Sequence, residues 1–326
     1  MKEAIERAAR LIEKGKRFLV TTHRNPEGDA LGSALALANA FQEAGKEVVV
    51  YNEDEVPYML RFLPMSDKVV HQIPGSKKYD AVFVVDCGDL KLVGEGFEKF
   101  RPGQLLINVD HHITNPGYGE INIIDPKASA SGEVVYHLLK AASFPVTSAV
   151  ASCIYTAIYT DTGAFHYSNA SPEAMEIAAQ MIRAGASPAR IAEELYDSHP
   201  KGRLDLLGLV LQTLEVRSAG EVASIFVTQE MFRKTGTSSE HVEGFVGYPR
   251  SIRGVQLAFS LRELETGKWR ISFRSKGKYD VARLAAQFEG GGHHNAAGGN
   301  IQGILEEVKK KIYAAIDWQI KEQRKS

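Results

Sequence analysis

Four short runs in the first half of this chain are apolar almost throughout. Residues 17–22, 47–51, 81–85 and 105–109 are built mainly from Val, Ile, Leu and Phe, with little polar alternation. A strand with one wet face alternates apolar and polar residues, whereas a strand covered on both faces does not. Such runs fit the inside of a parallel sheet sandwiched between helices, and helix-like stretches lie between or after them at 31–44, 132–142 and 148–160. The pattern sets the fold class of the first half as α/β, a mostly parallel sheet flanked by helices. Residues 1–16 alternate charged and apolar side chains at helical spacing, and Glu3, Glu6 and Glu13 mark an amphipathic helix rather than a secretory leader.

A further helix is expected over 169–186, opened by Ser171-Pro172-Glu173, because proline is tolerated in a first turn where its missing amide has no partner to lose. Two helices, 191–196 and 204–214, follow around His199-Pro200-Lys201-Gly202. Beyond them the texture changes. Residues 222–227, 255–261 and 269–275 read as strands, the last two forming a hairpin about Glu265-Thr266-Gly267-Lys268, and a long helix over 304–324 closes the chain. A length of 326 residues suits two domains. The expected division is an α/β domain over 1–186, a linker or hinge over 187–203, and a smaller α+β domain over 204–326.

Forty acidic residues balance 39 basic ones, so overall charge gives no reason to expect a long duplex nucleic acid as partner. The two cysteines, Cys87 and Cys153, form neither a disulfide framework nor a zinc spacing, which fits a reducing cytoplasm. No segment approaches the ~20 apolar residues that span a bilayer, so no membrane partner is expected.

The apolar runs end in chemistry. The first is followed by His23, Glu27 and Asp29 in a tight Pro/Gly turn, the third by Asp86-Cys87-Gly88-Asp89, and the fourth by Asp110-His111-His112. The helix over 148–160 ends at Asp161. Parallel strands bring their C-terminal ends to one edge, where open α/β sheets bind ligands. Carboxylates crowded there repel one another unless cations neutralise them. Mixed oxygen and imidazole ligation suits Mn²⁺, with Zn²⁺, Fe²⁺ and Co²⁺ as alternatives, and a two-cation site resolves the repulsion.

Asn25-Pro26-Glu27-Gly28-Asp29-Ala30-Leu31-Gly32-Ser33, Val85-Asp86-Cys87-Gly88-Asp89, Asp110-His111-His112 and Thr160-Asp161-Thr162-Gly163 together resemble the motifs of the DHH phosphoesterase superfamily. Gly290-Gly291-Gly292-His293-His294-Asn295-Ala296-Ala297-Gly298 resembles the glycine-rich motif of its DHH-associated C-terminal domain. The layout is similar to the bacterial nanoRNase and pAp phosphatase group. The resemblance implies that His23, Glu27 and Asp86 hold one Mn²⁺, while Asp29, Asp86, His111 and Asp161 hold a second. It also implies that His112 faces the substrate phosphate and that Asp110 orients a histidine. One position departs from the pattern: the family usually has Asp where this chain has Glu27, and the added methylene displaces the carboxylate by roughly 1 Å.

The resemblance further implies a metal-dependent hydrolase whose two cations activate a water against short oligonucleotides, linear dinucleotides or 3'-phosphoadenosine 5'-phosphate (pAp). The catalytic residues would be Asp86, Asp110 and His112. A nucleotide-binding sensor weakened at Glu27, a cyclic-dinucleotide phosphodiesterase and an inorganic pyrophosphatase are the alternatives, and the glycine motif argues against the last. The second domain would hold the nucleotide. Residues 250–283 carry nine Lys/Arg against three Asp/Glu, a local excess that suits a short anion. Arg274, Ser275, Gly290, Gly291, Gly292 and His293 are the expected phosphate contacts, and closure about 187–203 would select short substrates. A homodimer is left open.

Overall fold

In the computed structural model, which describes residues 1–74, 78–292 and 294–323, successive residues of one strand feed two different cores. On strand β1 (Arg17–Thr21), Phe18 and Val20 pack to one side and Leu19 to the other. Phe83 and Val85 of β4 (Ala81–Val85) follow the first pair, Val82 and Val84 the second. On β5 (Leu106–Asp110), Ile107 and Val109 face the larger core. Both faces are covered, which is why the sequence shows no alternation there.

The complete sheet has the order β3-β2-β1-β4-β5-β6, with β2 at Glu47–Tyr51, β3 at Val69–Val70 and β6 at Ile121–Ile124, and every pairing is parallel. Two of these strands escaped the sequence reading. The β3 strand is only two residues long, and β6 sits at the edge with every second residue half exposed. Chain order reverses between β1 and β4. That is the switch point at which adjoining loops run to opposite sides and leave a crevice.

The helices of this first unit are α1 (Lys2–Lys14), α2 (Gly28–Glu43), α3 (Glu95–Phe100), α4 (Ser131–Ala141), α5 (Ser148–Asp161), α6 (Pro172–Arg183) and α7 (Pro188–Ala192). Helix α2 begins at Gly28, three residues before the expected start, and is buried from Gly28 to Phe41, so it has no wet face to create a polar stripe. Glycines at the helix contacts permit this. A Cβ on Gly32 would lie 2.7 Å from the Cys153 carbonyl oxygen of α5, and one on Gly132 of α4 would lie 2.5 Å from the Ala157 methyl of α5. Helix α6 starts at Pro172 because the Ser171 hydroxyl caps it, accepting from the Ala174 amide. It is shorter at both ends than the expected 169–186.

The chain divides into compact units, Met1–Ser198 and His199–Ser326. The second unit comprises α8 (Lys201–Leu211), β7 (Glu215–Arg217), β8 (Val222–Val227), α9 (Gln229–Thr235), α10 (Gly247–Ser251), β9 (Leu257–Glu265), β10 (Lys268–Ser275), α11 (Val281–Ala285), β11 (Gly291–Gly292), β12 (Ala296–Gln302) and α12 (Leu305–Gln323). Its sheet runs β11-β12-β10-β9-β8-β7, antiparallel except for the β8–β9 pair. The β9–β10 hairpin forms as expected, but β9 starts at Leu257 and continues to Glu265, so the turn is tighter than the apolar run suggested. Val308, Ile312, Ile316 and Ile320 of α12 recur every four residues and pack on Phe259, Trp269, Ile271 and Phe273.

Candidate metal centre

The strands on either side of the switch point, with their neighbour β5, deliver the polar cluster. After β1, the His23 carbonyl accepts from Asn52 Nδ2 at 2.9 Å, and the His23 Nδ1–H donates to the Arg24 carbonyl at 2.7 Å. A carbonyl only accepts, so Nδ1 carries the proton, and Nε2 is the nitrogen presented to the crevice. It stands 3.3 Å from Glu27 Oε1 and 3.8 Å from Asp86 Oδ2. Glu27 ends the turn just ahead of α2, and half of its side chain is exposed.

Asp86 follows β4 with φ +52°, a left-handed conformation unusual for a non-glycine residue. Such strain persists where surrounding bonds overdetermine it and is concentrated at functional sites. Here the Asp86 amide donates to the Val109 carbonyl and the Ser131 hydroxyl donates to Asp86 Oδ1 at 2.8 Å. One carboxylate oxygen therefore faces His23. The other lies 3.7 Å from both His111 Nε2 and His112 Nδ1.

At the end of β5 the two histidines part. His111 Nδ1–H donates to the Ala128 carbonyl at 3.2 Å, turning Nε2 toward three carboxylates: Asp29 at 3.7 Å, Asp86 at 3.7 Å and Asp161 at 3.8 Å. His112 instead donates from Nδ1 to Asp110 Oδ1 at 2.7 Å. Asp110 is fully buried and also accepts from the His111 amide and from Asn115 Nδ2. Asp29 in the first turn of α2 accepts from the amides of Ser131 and Gly132 at the start of α4 and from the Ser33 hydroxyl. A helix N-terminus favours a carboxylate in this way.

Three triples can each converge on one point: His23–Glu27–Asp86, Asp29–His111–Asp161 and Asp86–His111–His112, with donor atoms within 4.8 Å of one another. The electrostatics of the cluster follow from its crowding. Burial and the neighbouring Asp86 push Asp29 well above the carboxylate range. Burial likewise raises Asp161 to about 6, against the opposing pull of His111. Burial alone would lower the His111 imidazole, yet Asp29, Asp86 and Asp161 raise it to about 9. Burial and carboxylates oppose each other in the same way at His23 and His112, and both end up raised. Asp86, whose burial would raise it, is held far down by the three histidines around it. Unneutralised carboxylates thus force protons onto neighbouring imidazoles, and divalent cations would replace those protons. Two presented Nε2 atoms and four carboxylates make a donor set that fits such ions.

Sequence reasoning overlooked Ser131 and Asn115, which orient the acidic residues. The signal was available in Ser129-Ala130-Ser131-Gly132-Glu133, a helix start whose small residues let backbone amides reach a buried carboxylate.

The expected phosphate contacts lie in the second unit. Arg274 Nη1 donates to the Phe273 carbonyl. Ser275 is buried, and its hydroxyl accepts from the amides of Gly277 and Tyr279, shaping the turn after β10. Gly291 and Gly292 pair with Gly298 and Ala297 of β12. A Cβ on Gly290 would sit 2.0 Å from the Gly298 carbonyl oxygen, so this glycine is required for backbone approach, whereas the space beside Gly291 is open. His293 lies outside the described residues.

A doubly covered parallel sheet whose strand ends supply interlocked imidazole–carboxylate triples, followed by a sheet domain with a glycine-rich edge, defines a two-domain protein with a metal-binding type of donor set. Residues 17–158 match the DHH family N-terminal domain and residues 222–322 match the DHHA1 domain. The chain belongs to the DHH family. It is 32% identical to the bifunctional oligoribonuclease and PAP phosphatase NrnA of Thermus thermophilus, over 91% of this chain and 88% of that protein. An exopolyphosphatase-related protein from Bacteroides fragilis has the same fold, with a TM-score of 0.92 and 29% identity across 99% of this chain and 98% of the other. RecJ of Thermus thermophilus, solved in complex with Mn²⁺, shares the fold at a TM-score of 0.56 and 15% identity, covering 96% of this chain and 54% of RecJ.

Proposed function

We propose that this protein is a metal-dependent phosphoesterase that hydrolyses short oligonucleotides and pAp. The observation that carries the reading is the pair of triples, His23–Glu27–Asp86 and Asp29–His111–Asp161, with Asp86 turning one oxygen toward each. These residues would hold two divalent cations, Mn²⁺ first among them, with Asp86 shared. Bound there, such ions lower the pKa of a water toward ~7 and offset charge gathering on a phosphoryl group. The protein's own part is positioning. Asp110 fixes the His112 ring through Nδ1, which leaves Nε2 to donate to a phosphoryl oxygen. Ser131 and the start of α4 hold Asp86 and Asp29 in register with the histidines.

The first unit supplies the chemistry in this reading, and the second grips the nucleotide through Arg274 and the open backbone at Gly291. The similarity to an NrnA protein over nine-tenths of the chain supports the substrate class. Glu27 completes the first triple despite its extra methylene, which supports a working site over a lapsed one. The test is incubation of the purified protein with Mn²⁺ and, separately, pAp, pApA, a five-mer RNA and pyrophosphate. Release of phosphate from pAp and of mononucleotides from pApA is expected. Cleavage of pyrophosphate alone, or of no substrate, overturns the proposal.

A further inference from the structure

The β10 strand carries a second group of anion donors, one that neither the motifs nor the glycine-rich edge accounts for. Arg270 is paired directly across the sheet with Arg262 of β9 and, on its other side, with Asn300 of β12. Like charges placed opposite each other on adjacent strands destabilise a sheet. Among the described residues neither guanidinium has a hydrogen bond or an ion pair, although Arg262 is half-buried. A half-buried guanidinium with five donors and no acceptor is a group that calls for a partner. Burial and Arg270 both depress the Arg262 pKa, and Glu243 offsets this without an ion pair.

The surroundings fit an anion. The next row along the sheet is Ser260, Ser272 and Gly298, with Gly291 beyond it on β11. The opposite face of β10, at Trp269, Ile271 and Phe273, is packed against the apolar core, so the two arginines share the other face. The Arg270 guanidinium leans toward this serine–glycine row: a Cβ on Gly298 would lie 3.6 Å from its Nη2. Arg274 lies one row further on, a two-residue step of about 7 Å.

We propose that Arg262 and Arg270 form an anion site for a phosphodiester of a single-stranded oligonucleotide, separate from the contact made by Arg274. It deepens the reading of the chain as an oligonucleotide hydrolase and rests on it. Ligands with enough phosphates to reach both rows, trinucleotides and tetranucleotides, gain a contact that dinucleotides lack. The pair thereby raises affinity with length over the first few nucleotides.

The experiment separates binding from turnover. Affinity of the full-length protein for a fluorescein-labelled tetraribonucleotide is measured by anisotropy in EDTA across a salt series, for wild type, R262Q, R270Q and R270E. The kcat and KM for pApA and for an unlabelled tetranucleotide are measured with Mn²⁺. Each glutamine variant is expected to weaken tetranucleotide binding about tenfold or more. The log–log salt slope should become shallower by roughly 0.7 when the phosphate contact is lost. KM for the tetranucleotide rises while pApA kinetics stay within twofold. R270E, which sets opposite charges across the β9–β10 pair, keeps or raises the unfolding midpoint while binding is lost. Unchanged tetranucleotide affinity and salt slope overturn the site. So do equal losses for both lengths, or a marked fall in midpoint in R262Q, which would make the arginines structural. Arginine-dependent binding without turnover of any substrate leaves the site standing and removes the hydrolase reading.

Discussion

Gly32→Ala tests whether close helix approach sets the metal geometry. Helix α2 carries Asp29 in its first turn, and α5 ends at Asp161. At Gly32 a methyl group would lie 2.7 Å from the Cys153 carbonyl oxygen and 3.0 Å from the Ala157 amide, where ordinary contact begins near 3.4 Å. Both obstacles are backbone atoms of α5, so no side chain can rotate away, and the helices must part by about 0.7 Å. Alanine gains about 1 kcal/mol of helix propensity over glycine, whereas overpacking a tight core costs about 1–3 kcal/mol. The net effect is a loss of up to ~2 kcal/mol. The larger consequence is at the site. Ligand distances tolerate about 0.2 Å, so a 0.7 Å displacement of Asp161 from Asp29 should cost 10- to 100-fold in Mn²⁺ affinity. Gly208→Ala on α8 is the control, because nothing lies within 4 Å of its added methyl group. Calorimetric Mn²⁺ titration and thermal unfolding in EDTA read both effects. If Gly32→Ala behaves like the control, with a raised midpoint and unchanged affinity, the close-packing argument is wrong.

Further outcomes follow from other contacts. Asp110→Asn places an amide donor among the donors from His111, His112 and Asn115. It should lower kcat on pAp 10- to 100-fold, while metal content, read by elemental analysis, stays near wild type. Glu27→Asp shortens a carboxylate that reaches 3.3 Å from His23 Nε2, so a titration should show weaker Mn²⁺ binding, and tighter binding would show that Glu27 is a compromised ligand. Glu215→Gln removes the main counter-charge of the buried Lys309, leaving it the exposed Glu306. Stability should fall by about 3 kcal/mol at neutral pH. Burial would raise the Glu215 carboxyl, but Lys309 and Arg217 hold it below its usual range. Its contribution is therefore present above the unfolded value of about 4.3 and lost as pH falls through the folded one. Denaturant midpoints of wild type and variant should converge in acid and not at neutral pH.

The parts of the fold legible in the sequence are those where burial on both faces leaves a signature. The β1, β4 and β5 strands could be read because Phe18, Leu19 and Val20 are all buried, with counterparts on each neighbour. The β12 strand could not. Ala296-Ala297-Gly298-Gly299 has little strand propensity and is held by backbone pairing to β10, with Gly299 close against Phe288. At the centre, residue types and strand ends were enough to gather the histidines and carboxylates. The separate orientations of His111 and His112 were not legible from spacing, because His111 turns on the Ala128 carbonyl, contributed after β6, while His112 turns back on Asp110.

The strand order has a consequence for how the protein comes into being. Leu19 pairs with Val49 on one side and with Val82 on the other, so β1 must wait for two partners that both come later in the chain. Such pairing is slow, because a long loop closes before any contact rewards it. The candidate donors run from His23 to Asp161, and the Asp29–His111–Asp161 triple draws on α2, the end of β5 and α5. An emerging chain therefore lacks this triple until α5 has docked. A cation that needs all three of its donors would be captured only by the finished topology and would favour it by mass action.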